Sequence, residues 1–298
     1  MRILVTGATG FVGTHVCQAL AGHGHLVLAL THLGNLPHSL SGLRGLTSME
    51  GDVLASASLK SAMVGIDAVI HLVGIIREFP ARGITFERLH VDATQNVIAA
   101  ARDAGVRRLV QMSALGTRPN AVSRYHQTKW AGEELVRASG LDWTVFRPSL
   151  IYGPGDGFTS TMVPLTRLPF FPVIGGGATH AEPVSIADVA EGFARAVDDQ
   201  SSIGETFDIA GPDTYTYREI YRLITEATGR RFRPTTIPIW MVRPVAALLQ
   251  YQPWFPLTLG QLQMLQEDNT GDQRRFPTNF GIEMTRLDEG LGFLRPRG

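Results

Sequence analysis

Three glycines near the start of the chain constrain what it can fold into. The sequence opens MRILVTGATGFVGTHVCQAL, and Gly7, Gly10 and Gly13 stand three residues apart directly after an apolar run. Glycine loses the most backbone freedom on folding, so it is costly inside a regular element. Three glycines at this spacing indicate that the turn needs backbone atoms where side chains would otherwise stand. A strand, a glycine-rich turn and a helix form the context in which phosphate binds to a helix N-terminus.

Each glycine has a distinct role in a turn of this kind. The first permits the tight reversal, the second lets a pyrophosphate approach the backbone, and the third lets the helix and strand pack closely. We predict that a dinucleotide contacts these residues of the turn: Gly7, Thr9, Gly10, Phe11, Val12 and Gly13. A structural turn that binds no ligand is the alternative.

The bulk composition excludes several classes of protein. The 298 residues are 44% hydrophobic, with 27 basic and 27 acidic side chains, which gives no electrostatic case for a nucleic-acid partner or an acidic membrane surface. The single Cys17 excludes an internal disulfide and is interpreted as a small core residue. Nine scattered histidines predict no metal site. We expect no signal peptide and no membrane span, hence a cytoplasmic protein that is at most peripheral to a membrane.

Strand-like runs alternate with helical patterns through the first half of the chain. We predict strands at 2–6, 26–31, 46–51, 67–72, 107–113 and 143–147, and helices at 11–21, 85–104 and 125–139. Near-continuous apolar strands that alternate with helices favour a parallel sheet covered on both faces. The predicted fold class is therefore α/β, with a doubly wound parallel sheet.

The pattern loosens after Pro148. We predict cleft-shaping loops at Gly153–Gly157 and Leu168–Gly177, followed by helices at 186–197, 217–228, 239–249 and 257–267 and a strand at 206–209. Residues 1–150 are expected to form the dinucleotide-binding core. Residues 151–298 are expected to complete the sheet and to form a smaller α/β lobe over its carboxyl edge.

One late stretch is unusually apolar. IPIWMVRPVAALLQYQPWFP, from Ile237 to Pro256, could cover the substrate cleft, dock on a partner, or touch a membrane interface through Trp240 and Trp254. The favoured interpretation is a core helix or a cleft wall, because apolar, aromatic helices are usually buried.

Several motifs together resemble the extended short-chain dehydrogenase/reductase superfamily, which has a Rossmann fold. The turn reads TGATGFVG rather than G-x-G-x-x-G, and Tyr125 and Lys129 match the family's Y-x-x-x-K motif. Gly51–Val53, His71–Gly74 and Arg147–Ser149 end the third, fourth and sixth strands, as in many members. The resemblance implies further cofactor contacts by Asp52, Val53, Leu72, Val73, Gly74 and Pro148, with Lys129 on the nicotinamide ribose.

Longer stretches are similar to one atypical branch of that superfamily. They are HLVGIIRE at His71–Glu78, the segment Met112–Ser149, and QLQMLQEDN at Gln261–Asn269. This branch contains the nucleotide-binding accessory subunit of respiratory complex I and its bacterial single-chain relatives. The similarity implies contact with a respiratory complex or a membrane as one possible setting for the chain.

The end of the second predicted strand bears on the choice of cofactor. NAD-preferring sites usually place an acid there to bond the ribose 2′-hydroxyl, but residues 29–33 read ALTHL. His32 stands where NADP-binding relatives often carry arginine. We therefore predict NADP(H) in preference to NAD(H), with His32 as a phosphate contact or simply a solvated loop residue.

Tyr125 and Lys129 lie one helical turn apart and so share a face. A nearby ammonium is expected to lower the pKa of the phenol towards neutrality. In the family, the tyrosine exchanges a proton with a substrate carbonyl or alcohol while hydride moves. Many relatives add a serine at the end of the fifth strand. Either Ser113 or Ala114 occupies that place, which makes Ser113 a candidate catalytic residue and leaves turnover open.

Two hypotheses of function follow. The first is an NAD(P)(H)-binding oxidoreductase, or an epimerase-like enzyme that uses hydride transiently on an unknown small molecule. The second is a non-catalytic dinucleotide-binding accessory or assembly factor for a respiratory NADH–quinone oxidoreductase.

Overall fold

A computed structural model describes residues 1–32 and 34–295. Its strands are β1 (Arg2–Thr6), β2 (Leu26–Thr31), β3 (Leu46–Glu50), β4 (Ala68–His71), β5 (Arg108–Met112), β6 (Asp142–Pro148), β7 (Ile151–Tyr152), β8 (Phe171–Ile174), β9 (His180–Ala181), β10 (Val184–Ser185), β11 (Glu205–Ile209), β12 (Tyr215–Thr216) and β13 (Pro234–Ile237). Its helices are α1 (Phe11–Gly22), α2 (Ser56–Ala62), α3 (Ala93–Asp103), α4 (Arg124–Arg137), α5 (Gly157–Leu165), α6 (Ile186–Ala196), α7 (Tyr217–Ala227), α8 (Ile239–Leu249), α9 (Leu259–Met264), α10 (Arg275–Phe280) and α11 (Leu287–Gly290).

The main sheet has seven parallel strands in the order β11-β6-β5-β4-β1-β2-β3. The chain winds outward from β1 to β3, then returns to the other side of β1 through β4. Ligands of such sheets bind at this reversal, beside the carboxyl ends of β1 and β4. The predicted doubly wound α/β fold is confirmed.

Alternating strand residues supply two separate cores. Ile3 and Val5 of β1 pack with α1, α6 and α10 on one face. Leu4 packs with α2, α3 and α4 on the other. Cys17 is fully buried in the first of these cores, and its burial raises the pKa of the thiol to about 12. The thiol is thus an inert packing group at neutral pH.

A smaller lobe with its own core lies at the carboxyl edge of the sheet. Its centre contains Tyr152, Phe171 and Tyr221. Arg118, in the loop after β5, pairs with Glu267 of this lobe. Arg77, in the loop after β4, donates to the carbonyl oxygen of Gln252 at 3.4 Å. The predicted smaller lobe over this edge is therefore confirmed.

The last strand of the main sheet comes from the second half of the chain. β11 pairs with β6 in parallel, and the buried Arg108 of β5 reaches towards the same region. Its guanidinium donates to Thr144 Oγ1 at 2.9 Å, to Ser202 Oγ at 3.0 Å and to the carbonyl oxygen of Ala196. A domain boundary near residue 150 stays a prediction.

The predicted loops around 153–177 are partly wrong. Residues 153–156 form a turn, but α5 begins at Gly157 because the buried Asp156 caps it and accepts a hydrogen bond from Thr159 N. Within 168–177 lies β8, which pairs with β13 some sixty residues later. The local sequence, which is rich in proline and glycine, does not predict that pairing because the partner strand is distant in the chain.

The helix predicted at 85–104 is interrupted. Residues Glu87–Asp92 form a π-helical turn before α3 begins. A Cβ on Gly132 of α4 would lie 2.6 Å from the His90 carbonyl oxygen, so α4 approaches the turn closely. Thr94 Oγ1 donates to that same carbonyl at 2.8 Å. Such turns often mark functional sites.

No helix within the described residues is long and apolar enough to cross a bilayer.

Candidate functional site

The glycine turn has the geometry that the sequence predicts. Gly7 has φ +73°, and a Cβ there would lie 3.1 Å from the backbone of Leu72 and Val73. A Cβ on Gly13 would lie 2.1 Å from the Gly7 carbonyl oxygen, which leaves no space for a side chain. The structural reasons given for Gly7 and Gly13 are therefore confirmed.

The first turn of α1 is open to a ligand. Gly10 is the N-cap of α1 and makes no side-chain capping bond, and both Thr9 and Gly10 are exposed. Phe11 and Val12 follow and are half-buried. The first N–H groups of a helix have no partner within the helix and carry positive partial charge. These groups fit a pyrophosphate, and their binding role stays a prediction.

Tyr125 stands in the first turn of α4. The buried Ser123 caps this helix and accepts a hydrogen bond from His126 N at 3.3 Å. The phenol ring packs edge-on against the rings of Phe86, His90 and His126, at centroid distances of 5.9, 5.5 and 5.1 Å. Within the described part of the chain its hydroxyl makes no hydrogen bond.

Burial raises the pKa of Tyr125 to about 12. The prediction that the nearby ammonium lowers this pKa is therefore wrong. The ring lies among apolar and neutral aromatic groups, where the phenolate is poorly solvated. Tyr125 is thus a protonated phenol at neutral pH.

Lys129 is buried one turn further along α4. Its Nζ donates to the carbonyl oxygen of Met112, at the end of β5, at 3.2 Å. A Cβ on Gly74 would lie 2.7 Å from this Nζ, so the ammonium lies against the backbone that follows β4. Desolvation lowers the pKa of Lys129 to about 8, although Glu133 partly opposes the shift.

Two buried histidines near Lys129 were not predicted. His71 Nδ1 lies 2.6 Å from Thr6 Oγ1, and the buried His71 Nε2 has no partner among the described residues. His90 Nδ1 lies 2.8 Å from Thr128 Oγ1, and its Nε2 accepts from Ile75 N at 3.1 Å. Burial and the neighbouring ammonium lower the pKa of His71 to about 3 and of His90 to about 2. Both are neutral at physiological pH.

A buried ion pair fixes α4 against the sheet. Glu133 accepts from Arg147 Nε at 2.8 Å and Arg147 Nη2 at 2.6 Å, and it also pairs with Arg137. The bidentate geometry sets both the position and the rotation of the helix. No local pattern indicates the pair of Glu133 and Arg147, because its members lie 14 residues apart, on a helix and on a strand.

The strand ends hold the remaining predicted residues. Ser113 is buried at the end of β5, with its Oγ 3.4 Å from Thr117 Oγ1, and Ala114 beside it offers no donor. Asp52 Oδ1 accepts from Leu54 N at 2.8 Å, and the Val53 carbonyl accepts from Asn96. Pro148 is the last residue of β6. Their catalytic and cofactor roles stay predictions.

Two residues near the end of β2 bear on the choice of cofactor: His32, which the sequence predicted, and Glu50, which it did not. His32 is exposed immediately after the strand, and no acid precedes it in β2. Glu50, which ends β3 opposite Thr31, has its Oε2 3.6 Å from where a Cβ of Gly34 would lie. The carboxylate close to this loop thus comes from the neighbouring strand.

We expect Lys129→Met to raise the free energy of unfolding by about 2 kcal/mol at pH 7, because it removes a buried charge. Unfolded lysine keeps its proton up to its ordinary pKa of 10.5, whereas folded Lys129 releases it near 8. The unfolded state therefore binds more protons between these values, and wild-type stability rises across them. The advantage of the variant should shrink over the same range.

Urea denaturation at several pH values measures this effect. Lys60→Met is the matched control, since Lys60 is the other lysine and is exposed on α2. Equal stability of Lys129→Met and the wild type at pH 7 would show that the buried charge carries no such cost.

Comparison with known proteins agrees with the fold and the motifs. The sequence profile of the NAD dependent epimerase/dehydratase family matches residues 3–210. The mitochondrial NADH dehydrogenase (ubiquinone) 1 alpha subcomplex subunit 9 of Arabidopsis thaliana is 31% identical over 276 residues, which cover 89% of this chain and 68% of that protein. A ceramide reductase of Caulobacter vibrioides is 30% identical over 261 residues, which cover 86% of this chain and 79% of that protein.

A solved structure shows the same fold. The UDP-glucuronic acid 4-epimerase of Bacillus cereus, in complex with NAD, superposes with a TM-score of 0.77 at 20% sequence identity, covering 98% of this chain and 96% of the other. The resemblance inferred from the sequence is confirmed by the family match and by these relatives. The chain belongs to the NAD dependent epimerase/dehydratase family, within the extended short-chain dehydrogenases/reductases.

Proposed function

We propose that this protein is an NAD(P)(H)-dependent oxidoreductase that interconverts a carbonyl group and an alcohol. The observation that carries the proposal is the unengaged hydroxyl of Tyr125, one turn from a buried lysine. The phenol is protonated at neutral pH, which is the form that donates a proton to a carbonyl oxygen during reduction. The ceramide reductase named above supports a reductase in this branch.

Each residue of the candidate site has a separate role in the proposed reaction. A dinucleotide bound at the glycine turn would supply the hydride for the carbonyl carbon. Tyr125 would donate its proton to the carbonyl oxygen, and the Lys129 ammonium would hold a ribose hydroxyl of that dinucleotide. Ser113 is proposed as the hydroxyl that bonds the same substrate oxygen. The product is the alcohol, and a proton from solvent restores the phenol.

We further propose NADP(H) as the preferred cofactor. β2 ends without an acid that would repel a 2′-phosphate, and the exposed His32 stands beside the expected position of that group. The carboxylate of Glu50 favours NAD(H) instead, because an acid in this place bonds the ribose 2′-hydroxyl and repels a 2′-phosphate. If the protein binds NADH more tightly, the ribose contact belongs to Glu50 and the preference is wrong.

The test uses the intact protein with a panel of aliphatic, aromatic and quinone carbonyls. We expect oxidation of NADPH with at least one of them, and a Kd for NADPH about tenfold below that for NADH, as one charge-assisted contact would give. His32→Asp should reverse the order of the two affinities, whereas His38→Asp, at another exposed position, should not. Absence of any nucleotide binding would overturn the proposal.

A second function has one specific observation in its favour. The plant mitochondrial subunit resembles this chain along most of its length, which supports a dinucleotide-binding accessory role in a respiratory complex. Firm retention of nucleotide through purification, with no turnover on any carbonyl, would favour this role over the enzyme.

A further inference from the structure

The helix α8 is apolar on both sides, but the protein covers only one of them. The inner side is formed by Ile239, Val242, Ala246 and Leu249, which recur at helical spacing and are half-buried or buried. The outer side carries Trp240 and Leu248, which are 74% and 79% exposed. The favoured sequence interpretation, a core helix or cleft wall, therefore fails for this outer side. A helix that is apolar all round normally has both sides covered.

The exposed apolar surface extends beyond the helix. We call it the α8 surface, and its members are Trp240, Met241, Val245, Leu248, Tyr251 and Trp254. Trp254 is 70% exposed. Side chains of this size crowd together on the outside of proteins chiefly where another surface covers them.

The charge of this region is one-sided. Residues 229–266 contain four arginines and no acidic residue or lysine, in a chain whose formal net charge is zero. Arg243 lies on α8 itself, and Arg230, Arg231 and Arg233 precede the strand that leads into it. All four side chains belong to exposed residues. An apolar surface whose own segment of the chain carries only cations is complementary to an anionic partner with an apolar interior.

A second exposed apolar and basic group adjoins the first through the β8–β13 pair. Phe171 N donates to the Arg233 carbonyl oxygen at 2.7 Å, so Phe170 lies beside Arg233 at the start of this pair. α8 follows directly from its other end. Leu168 and Phe170 are exposed, and Arg167 precedes them in a segment, 157–181, that has no acid. The same apolar and basic character thus recurs at the opposite end of this pair from α8.

The α8 surface also lies close to the candidate site. The contact from Arg77 to Gln252 joins the segment after α8 to the loop after β4. That same loop contains Gly74, against which the Lys129 ammonium lies. Whatever covers the α8 surface therefore stands near the mouth of the cleft.

We propose that the α8 surface docks on the interface of an anionic phospholipid bilayer. Trp240, Leu248 and Trp254 enter the boundary between headgroups and acyl chains, where amphipathic rings are favoured. Arg243 and the arginines before β13 contact lipid phosphates. The helix lies in the plane of the membrane and does not cross it. The proposal does not depend on catalysis, since it needs neither cofactor nor substrate.

Vesicle sedimentation tests the proposal with the full-length protein. We expect binding to vesicles of phosphatidylcholine mixed with phosphatidylglycerol, weaker binding to phosphatidylcholine alone, and loss of the difference at high salt. Tryptophan fluorescence should shift to the blue on binding, because two of the four tryptophans belong to the α8 surface. Arg243→Gln should weaken binding to the anionic vesicles about fivefold, as one cation near the surface would.

The double variant Trp240→Ser/Leu248→Ser should abolish sedimentation with vesicles. Val64→Ser is the matched control, since Val64 is 70% exposed on another part of the chain and its loss should change nothing. Equal binding to both vesicle types, or unchanged binding by the double variant, would overturn the proposal. A concentration-dependent dimer that the double variant disrupts, without vesicle binding by the wild type, would assign the surface to a second copy instead.

Discussion

Tyr125→Phe should lower kcat for carbonyl reduction by about a thousandfold, within the range that a positioned proton donor contributes. The substitution removes one oxygen atom and keeps the ring that packs against Phe86, His90 and His126. Stability and nucleotide affinity should therefore stay at the wild-type level. Steady-state NADPH oxidation, together with nucleotide titration, measures both quantities on one preparation.

The control for this variant is Tyr251→Phe, which removes an equivalent hydroxyl from an exposed side chain of the α8 surface. It should leave kcat unchanged. If Tyr125→Phe keeps more than about a tenth of the wild-type kcat, proton donation by Tyr125 is not part of the reaction. A parallel loss of nucleotide affinity would point to a binding role for the hydroxyl.

Gly13→Ala should lower the free energy of unfolding by about 3 kcal/mol and weaken dinucleotide binding, because the new Cβ would lie 2.1 Å from the Gly7 carbonyl oxygen. A carbonyl of the backbone cannot rotate away as a side chain can. α1 must therefore move away from the turn, and the N–H groups at its start move with it. Chemical denaturation and calorimetric titration of nucleotide measure the two effects.

Gly22→Ala is the matched control within the same helix. A Cβ on Gly22 would meet no heavy atom within 4 Å. Alanine should therefore be neutral there, or stabilising by up to about 1 kcal/mol. Equal stability of Gly13→Ala and Gly22→Ala would mean that the turn relaxes freely and that its close packing is not required.

The sequence predicts the main sheet well because each strand carries its own signal. β1 and β2 have the predicted bounds, and the other main-sheet strands differ by one or two residues at their ends. A parallel strand buried on both faces is a continuous apolar run, which a local reading detects. β8 and β13 lack that pattern and depend on each other, so their pairing was not predicted.

The candidate site is predictable where a motif has fixed spacing and unpredictable where contacts are distant in sequence. The glycines and the Tyr125–Lys129 pair belong to the first kind. The contact between His90 and Thr128 joins residues 38 positions apart. The rise in the pKa of Tyr125 depends on which side chains pack around it, which no spacing reveals. The exposure of α8 is likewise a property of tertiary packing.

The contacts of Arg108 limit how this chain can be recombined with its relatives. A chimera joined near residue 150 keeps the glycine turn and α4 but exchanges the segment that supplies β11, Ala196 and Ser202. Unless the donor provides matching acceptors, the buried guanidinium loses its bonds to Ala196 and Ser202, and β6 becomes an unprotected edge. We therefore expect a chimera of two family members to fold only when β11 and the helix before it come from the same protein as the amino-terminal half.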